Sequence, residues 1–323
     1  MTMLSRLFCV AAAAAVSLSA TAVLGPTAAA EPTVPGPSVP GTSATEPVPG
    51  YDLMGTPPEG SNDWDCKPTA AHPRPIVLVH GTGSSMQQVF PVLSPALKEE
   101  GYCVFALNYG GIPTWYNPKQ IIWGVADIKR SAYELSTFVD AVLARTGAGQ
   151  VDLVGHSQGG VVARQYLKFG GGADTSDPAR NKVGSLVALG PTNHGTTFNG
   201  QQQLYNVLAQ SGLSADVINW VIFGLAGRQQ LVGSRLINDL NATSETMPGI
   251  NYTIIAAKDD DVVTPPESTF LASDGGNVRN IWVQDGCPGP VGHSGLMLLP
   301  RPIYLIQTAL DPGFADKHSA PCP

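Results

Sequence analysis

Residues 151–162 read VDLVGHSQGGVV, and the character of the chain changes halfway through them. Val151 to Val154 is a short β-branched apolar run, the pattern of a strand buried on both faces. Gly155 to Gly159 then places small residues where the backbone has to turn sharply. From Gln158 to Phe169 the apolar residues recur at helical spacing. A strand that turns straight into a helix is the first half of a βαβ unit.

The same alternation extends outward in both directions. Ile76–Val79, Cys103–Leu107, Val183–Leu189, Tyr252–Ala257 and Asn280–Val283 read as further strands. Pro91–Glu100 reads as a helix stopped by Gly101. Asp127–Arg145 reads as a longer one, with Ile128, Leu135, Phe138, Val142 and Leu143 on one face and Gly147 past its end. This is an α/β chain with a mostly parallel central sheet flanked by helices. Residues 195–249 break the rhythm with a helical, lid-like insertion that contains VINWVIFGL (217–225). That segment reads either as an extra buried helix or as a lid over a site.

The chain has 323 residues, 43% of them hydrophobic and only 13% charged, which is enough apolar material for a sizeable core. Its net charge of −7 argues against a protein that works by neutralising phosphates, so no nucleic-acid partner is expected. Arg6, the apolar stretch Leu7–Leu24 and the small residues Ala28-Ala29-Ala30 form the pattern of a signal peptide spanning residues 1–30. A Pro-rich, solvated linker is expected over 31–62, with packing starting near Trp64 and Cys66, and a single catalytic domain over 63–323. Cleavage removes Cys9 and leaves Cys66, Cys103, Cys287 and Cys322. An even number in an exported chain points to disulfides rather than to a metal site. Of the three pairings open to four cysteines, Cys66–Cys103 and Cys287–Cys322 is preferred because each bridge closes one local stretch.

Gly155-x-Ser157-x-Gly159, placed between a strand and a helix, has the context of a nucleophile elbow. A serine hydroxyl attacks only when a histidine takes its proton and a carboxylate orients that histidine, and in this arrangement the chain order is Ser, acid, His. His293, in a loop after the last strand, is the expected base. His194 lies in a turn and reads as structural, and His318 belongs to a Pro-bounded tail. The strand YTIIAAK runs into Asp259-Asp260-Asp261, and Asp260 is preferred as the acid, with Asp259 and Asp261 as alternatives. Packing is expected to turn one carboxylate toward His293 and leave the other two solvated. A calcium site is the competing reading of the triple Asp, but oxygen-ligand spacing of the EF-hand kind is lacking. The oxyanion donors are expected from the backbone N–H of Gln158 and from Thr82, whose hydroxyl adds a further donor. His80 and His156 read as packed structural histidines. No cofactor and no metal are expected.

VHGTGSSMQQVFPVL, VDLVGHSQGGVVARQYLKFGGGA, LVALGPTNHGTT, DDDVVTP and QDGCPGPVGHSGLM resemble the secreted actinobacterial class 2 lipases and esterases of the α/β-hydrolase superfamily. The loop and elbow motifs also resemble those of the fungal lipase B type. The resemblance implies an α/β-hydrolase fold, Ser157 as nucleophile, His293 as base, Asp260 as acid, and Thr82 and Gln158 as oxyanion donors. It also implies disulfides like those preferred above. DDDVV departs from these relatives, which often carry an aromatic and then Asp-Glu. The expected activity is secreted carboxylester hydrolysis, of acylglycerols by preference, by a monomer making transient contact with a lipid interface. Acyl transfer to cell-envelope sugars or lipids would use the same residues, and a non-catalytic binding module on the same fold is a third reading.

Overall fold

A computed structural model of the protein describes residues 55–114, 117–200 and 224–322. The proposed signal peptide, most of the linker and all but the last two residues of VINWVIFGL lie outside them. The elements follow in chain order as β1 (Ile76–Val79), α1 (Met86–Val89), α2 (Leu93–Glu99), β2 (Val104–Leu107), β3 (Ile112–Pro113), β4 (Ile121–Ile122), α3 (Ile128–Thr146), β5 (Val151–His156) and α4 (Gln158–Phe169). They continue with β6 (Val183–Leu189), α5 (Gly224–Gln229), α6 (Arg235–Asn241), β7 (Asn251–Ala256), β8 (Asn277–Trp282), α7 (Gly292–Gly295) and α8 (Pro300–Leu310).

Six strands form one sheet in the order β2-β1-β5-β6-β7-β8, and every neighbouring pair is parallel. Alternate side chains therefore feed two separate apolar layers. Val77, Val79, Phe105 and Leu153 pack with Phe138 of α3 and Val162 and Tyr166 of α4. Ile76, Leu78, Val154 and Val187 pack with Leu93 and Leu97 of α2 and Ile303 and Ile306 of α8. Burial of such a side chain stabilises the fold by roughly 1.5–3 kcal/mol, so both layers are needed to hold a sheet whose strands are apolar throughout.

The helix ends follow their capping chemistry. Asp127 accepts from the N–H groups of Lys129 and Arg130 at the start of α3, and Gly147 ends it in the left-handed conformation. α2 starts at Leu93 rather than Pro91, with Pro95 tolerated in its first turn. The single-turn α1 and the two-residue antiparallel pair β3–β4 have no counterpart in the sequence expectations. β8 begins at Asn277, before the expected Asn280, because this strand at the sheet edge carries exposed polar side chains in its first half.

The linker assigned to 31–62 also ends earlier than its composition implies. Asn62 donates its backbone N–H to Val104 O at 2.9 Å and its Nδ2–H to Ala106 O at 2.9 Å, and its Oδ1 accepts from Ala106 N at 2.7 Å. β2 is an edge strand, and this one asparagine satisfies backbone groups that the edge would otherwise leave open. Cys66 pairs with Cys103, with Cα atoms 5.7 Å apart, and Cys287 pairs with Cys322 at 5.5 Å.

The described part of the 195–249 insertion is tied to the body of the domain. Leu236, Ile237 and Leu240 of α6 are buried in the first apolar layer, and Thr196 forms a parallel bridge with Leu231.

Candidate active site

Because all six strands run the same way, the loops leaving their C-terminal ends gather along one edge of the sheet. These loops carry His80–Gly83 after β1, Ser157 after β5, Gly190–His194 after β6, Asp259–Asp261 after β7, and His293 after β8.

Ser157 sits at φ 55° and ψ −125°, a strained backbone for a residue with a Cβ, and caps the N-terminus of α4. Its N–H is held by Leu189 O at 2.8 Å, and its own carbonyl accepts from Gly160 N at 3.1 Å. The two motif glycines allow this turn to close. A Cβ on Gly155 would lie 2.7 Å from Gly160 N, and one on Gly159 would lie 2.0 Å from Val79 O. At position 159 the first turn of α4 crosses β1 too closely for any side chain.

His293 lies on the one-turn helix α7 rather than in an open loop, and it is 8% exposed. Gly292, at φ 62°, precedes it and sets the direction of the turn. Asp260 Oδ2 is 2.8 Å from His293 Nδ1. Asp260 Oδ1 accepts from the N–H groups of Val262 at 2.9 Å and Val263 at 2.8 Å, so both carboxylate oxygens are occupied. A Cβ placed on Gly190, the residue after the Leu189 that holds Ser157, would be 3.1 Å from His293 Nδ1 and Cε1. The imidazole thus packs over the loop that anchors the serine.

Asp259 is exposed, as expected, but it is also tied down by hydrogen bonds. Its Oδ1 accepts from Gln284 Nε2 at 2.6 Å and its Oδ2 from Val291 N at 2.8 Å, which ties the acid loop to the segment leading into α7. Partial desolvation raises its pKa, but hydrogen bonds from Val291, Gly292, its own backbone and Gln284 outweigh that and leave it below the usual carboxylate value. Asp261 is exposed.

The N–H groups of Thr82 and Gln158 have no acceptor among the described residues. Both belong to residues beside Ser157. Gln158 follows it directly, and a Cβ on Gly81 would stand 3.1 Å from Ser157 Cβ. The Gln158 side chain is turned away and fully buried, donating to Gly124 O at 3.0 Å and accepting from the Tyr109 hydroxyl at 3.2 Å. That hydroxyl also faces His80 O, so its single proton is shared between the two acceptors. The elbow, the loop after β1 and the segment after β4 are joined in this way.

Two neutral histidines back the site. His80 Nδ1 donates to Gly81 O at 2.8 Å while Nε2 accepts from Tyr109 N at 3.4 Å, and the ring stacks on Tyr109 with centroids 4.2 Å apart. Desolvation lowers its pKa to about 4, against a smaller upward pull from the Gly81 hydrogen bond. His156 lies 4.7 Å from His293, centroid to centroid, and desolvation together with the charge of His293 lowers its pKa to about 3. His194 is held through Ser268 O at 3.1 Å and Glu245 Oε1 at 2.8 Å, away from the Asp260–His293 pair. His318 is fixed more firmly than its place in a Pro-bounded tail implies, stacking on Phe314 at 4.1 Å. Gln230, which nothing in its neighbourhood of the sequence singles out, is fully buried and donates to Thr82 Oγ1 at 2.9 Å.

An all-parallel sheet covered by helices, with Ser, Asp and His in that order on the loops after β5, β7 and β8 at its C-terminal edge, defines an α/β-hydrolase. The model of the class 2 lipases matches residues 73–276, and the chain belongs to that family. Among curated proteins, triacylglycerol lipases of Pseudarthrobacter phenanthrenivorans and Burkholderia plantarii are each 28% identical over 154 residues. That stretch is 46% of this chain and 42% and 38% of theirs, so the alignment spans less than half of either relative. Aspergillus fumigatus lipase B superposes with a TM-score of 0.55 at 19% identity, over 80% of this chain and 56% of its own. Bacillus licheniformis lipase BlEst2 in its propeptide form gives 0.50 at 18%, over 79% and 52%. At these identities the two structures speak for the fold alone.

Proposed function

We propose that the protein is an exported serine carboxylester hydrolase acting on acylglycerols. The observation that carries this reading is the 2.8 Å contact between Asp260 and His293, packed over the loop that anchors a serine at a strained strand-to-helix turn. The Ser157 hydroxyl oxygen attacks the ester carbonyl carbon while His293 Nε2 takes its proton. Asp260 holds Nδ1–H and balances the imidazolium that forms. Negative charge on the former carbonyl oxygen is met by the N–H groups of Thr82 and Gln158. Collapse of the intermediate breaks the bond to the alkoxy oxygen, which leaves as alcohol with the proton from His293. Water, deprotonated by His293, then attacks the acyl-enzyme, and the acid departs as Ser157 regains its proton.

Acylglycerols as substrates draw support from the family and from what the similar curated proteins are called. Export is supported by the leader-like residues 1–30 and by two disulfides. Hydrolysis of p-nitrophenyl esters from C2 to C18, and of emulsified triacylglycerol, tests the reading. Turnover in both systems that disappears in Ser157→Ala is expected. Turnover that survives this change removes the serine mechanism, and activity confined to short soluble esters removes the acylglycerol assignment.

A further inference from the structure

Gln230 immediately follows α5, and its side chain is wholly inaccessible to solvent. A carboxamide in such a place needs partners, since burying it unpaired would cost about 1–3 kcal/mol. It has three: Nε2 donates to Ala226 O at 3.1 Å and to Thr82 Oγ1 at 2.9 Å, and Oε1 accepts from the Thr192 hydroxyl at 3.0 Å. Its backbone is clamped as well, with N–H to Gly227 O at 3.1 Å and carbonyl accepting from Thr196 N at 2.9 Å. Thr196 in turn donates its hydroxyl to Val262 O at 2.6 Å and accepts from Thr264 N at 3.0 Å, inside the loop that carries Asp260.

These contacts leave only one orientation for the amide. A backbone carbonyl can only accept, so the NH₂ group must face Ala226. The same NH₂ group therefore faces Thr82 Oγ1, and Thr82 receives a proton there instead of giving one. The Thr82 hydroxyl must send its own proton elsewhere, and no acceptor for it exists among the described residues. We propose that Gln230 is a positioning residue: it fixes the Thr82 hydroxyl as a third donor to the oxyanion, beside the N–H groups of Thr82 and Gln158. This role rests on the serine-hydrolase reading above. A donor aimed in advance at developing charge acts mainly on the transition state, since a neutral ester oxygen accepts more weakly than an oxyanion. A residue needed only for packing would be satisfied by Ala226 and Thr192.

The test is a double-variant cycle on a soluble p-nitrophenyl ester, using Gln230→Met, Thr82→Val and the combination, with Ser157→Ala as control. Each single variant is expected to lower kcat about tenfold or more while KM stays within about twofold. The combined variant should be no slower than Thr82→Val alone within about twofold, because Gln230 acts only through the hydroxyl already removed. Thr82→Ser, which keeps a hydroxyl, should restore most of the activity and remain sensitive to Gln230→Met. Multiplying losses in the combined variant, or an unchanged kcat in Gln230→Met, overturns the role.

If Gln230→Met does not fold, Gln230→Glu keeps the shape but offers a carboxylate. The Thr82 hydroxyl would then donate to that carboxylate, and kcat of the folded protein, assayed well below its melting temperature, should fall about tenfold or more, while the oxygen now facing Ala226 O lowers that melting temperature. Full activity in Gln230→Glu overturns the proposal equally. Turnover surviving in Ser157→Ala would instead remove the underlying reading, so the two failures are distinct.

Discussion

His293 Nδ1 stands 2.8 Å from Asp260 Oδ2, and the other oxygen of that carboxylate is pinned by the N–H groups of Val262 and Val263. Asp259, one residue away, braces Val291 and Gln284 instead. Replacement of the two acids therefore has unequal results. Asp260→Asn should lower kcat by about 10³- to 10⁴-fold, because the amide no longer holds the required tautomer of the imidazole. Asp259→Asn weakens only a brace and should cost about tenfold or less, in line with a displaced supporting contact. Steady-state kinetics on one ester decide between them, and the reverse ranking would reassign the acid.

The elbow itself is tested through Gly159. A methyl group there would stand 2.0 Å from Val79 O, a backbone atom on the neighbouring central strand that has no room to retreat. Gly159→Ala should destabilise the fold by at least about 3 kcal/mol, the scale of a severe overpacking. Urea unfolding monitored by circular dichroism measures this, and a loss below about 1 kcal/mol would mean that α4 does not cross β1 as described.

His80 and His156 give stability a defined dependence on pH. Their pKa values are lowered to about 4 and about 3 by burial, whereas in the unfolded chain both titrate near the ordinary value of about 6.5. Below about pH 6.5 the unfolded state takes up protons that the folded state refuses, so stability falls as the pH drops toward about 4. Each histidine contributes up to about 1.4 kcal/mol per pH unit across that window. His156→Asn should flatten the slope by roughly half. A profile that is level between pH 7 and pH 4.5, by chemical denaturation, would contradict the buried neutral state of these rings.

The Cys66–Cys103 bridge spans 37 residues and ties the segment before β1 to the start of β2. In the chain-entropy model a loop of that length contributes about 4 kcal/mol, so Cys66→Ser should lower stability by roughly 2–4 kcal/mol. Thermal unfolding of the oxidised protein and of the variant gives the comparison, and equal melting temperatures would remove the bridge as a stabilising element.

Much of the fold was legible because its strands are short, β-branched runs and its long helices carry explicit caps, such as Asp127 and Gly147 around α3. The elements without a legible signal are those with too little sequence to carry a period: the one-turn α1, the two-residue pair β3–β4, and α7, whose four residues have the pattern of a loop. The start of β8 is masked in the sequence because Asn277 and Arg279 are exposed and polar. Ser157 was marked by its glycines and its neighbours in the chain. Among Asp259, Asp260 and Asp261, the sequence favours Asp260 with its two neighbours as alternatives, and it is the contact with His293 together with the Val262 and Val263 amides that sets Asp260 apart. Gln230 left no trace in GRQQLV, because its significance comes from Thr82, a contact 148 residues away in the chain.

The Ser157 hydroxyl oxygen is the atom that becomes acylated in this mechanism. Incubation with a p-nitrophenyl alkylphosphonate, followed by intact-mass and peptide mass spectrometry, tests this directly. One phosphonyl group per chain is expected, carried on the peptide containing Ser157 and missing from Ser157→Ala. A stable adduct on any other residue, or undiminished labelling of Ser157→Ala, would contradict it.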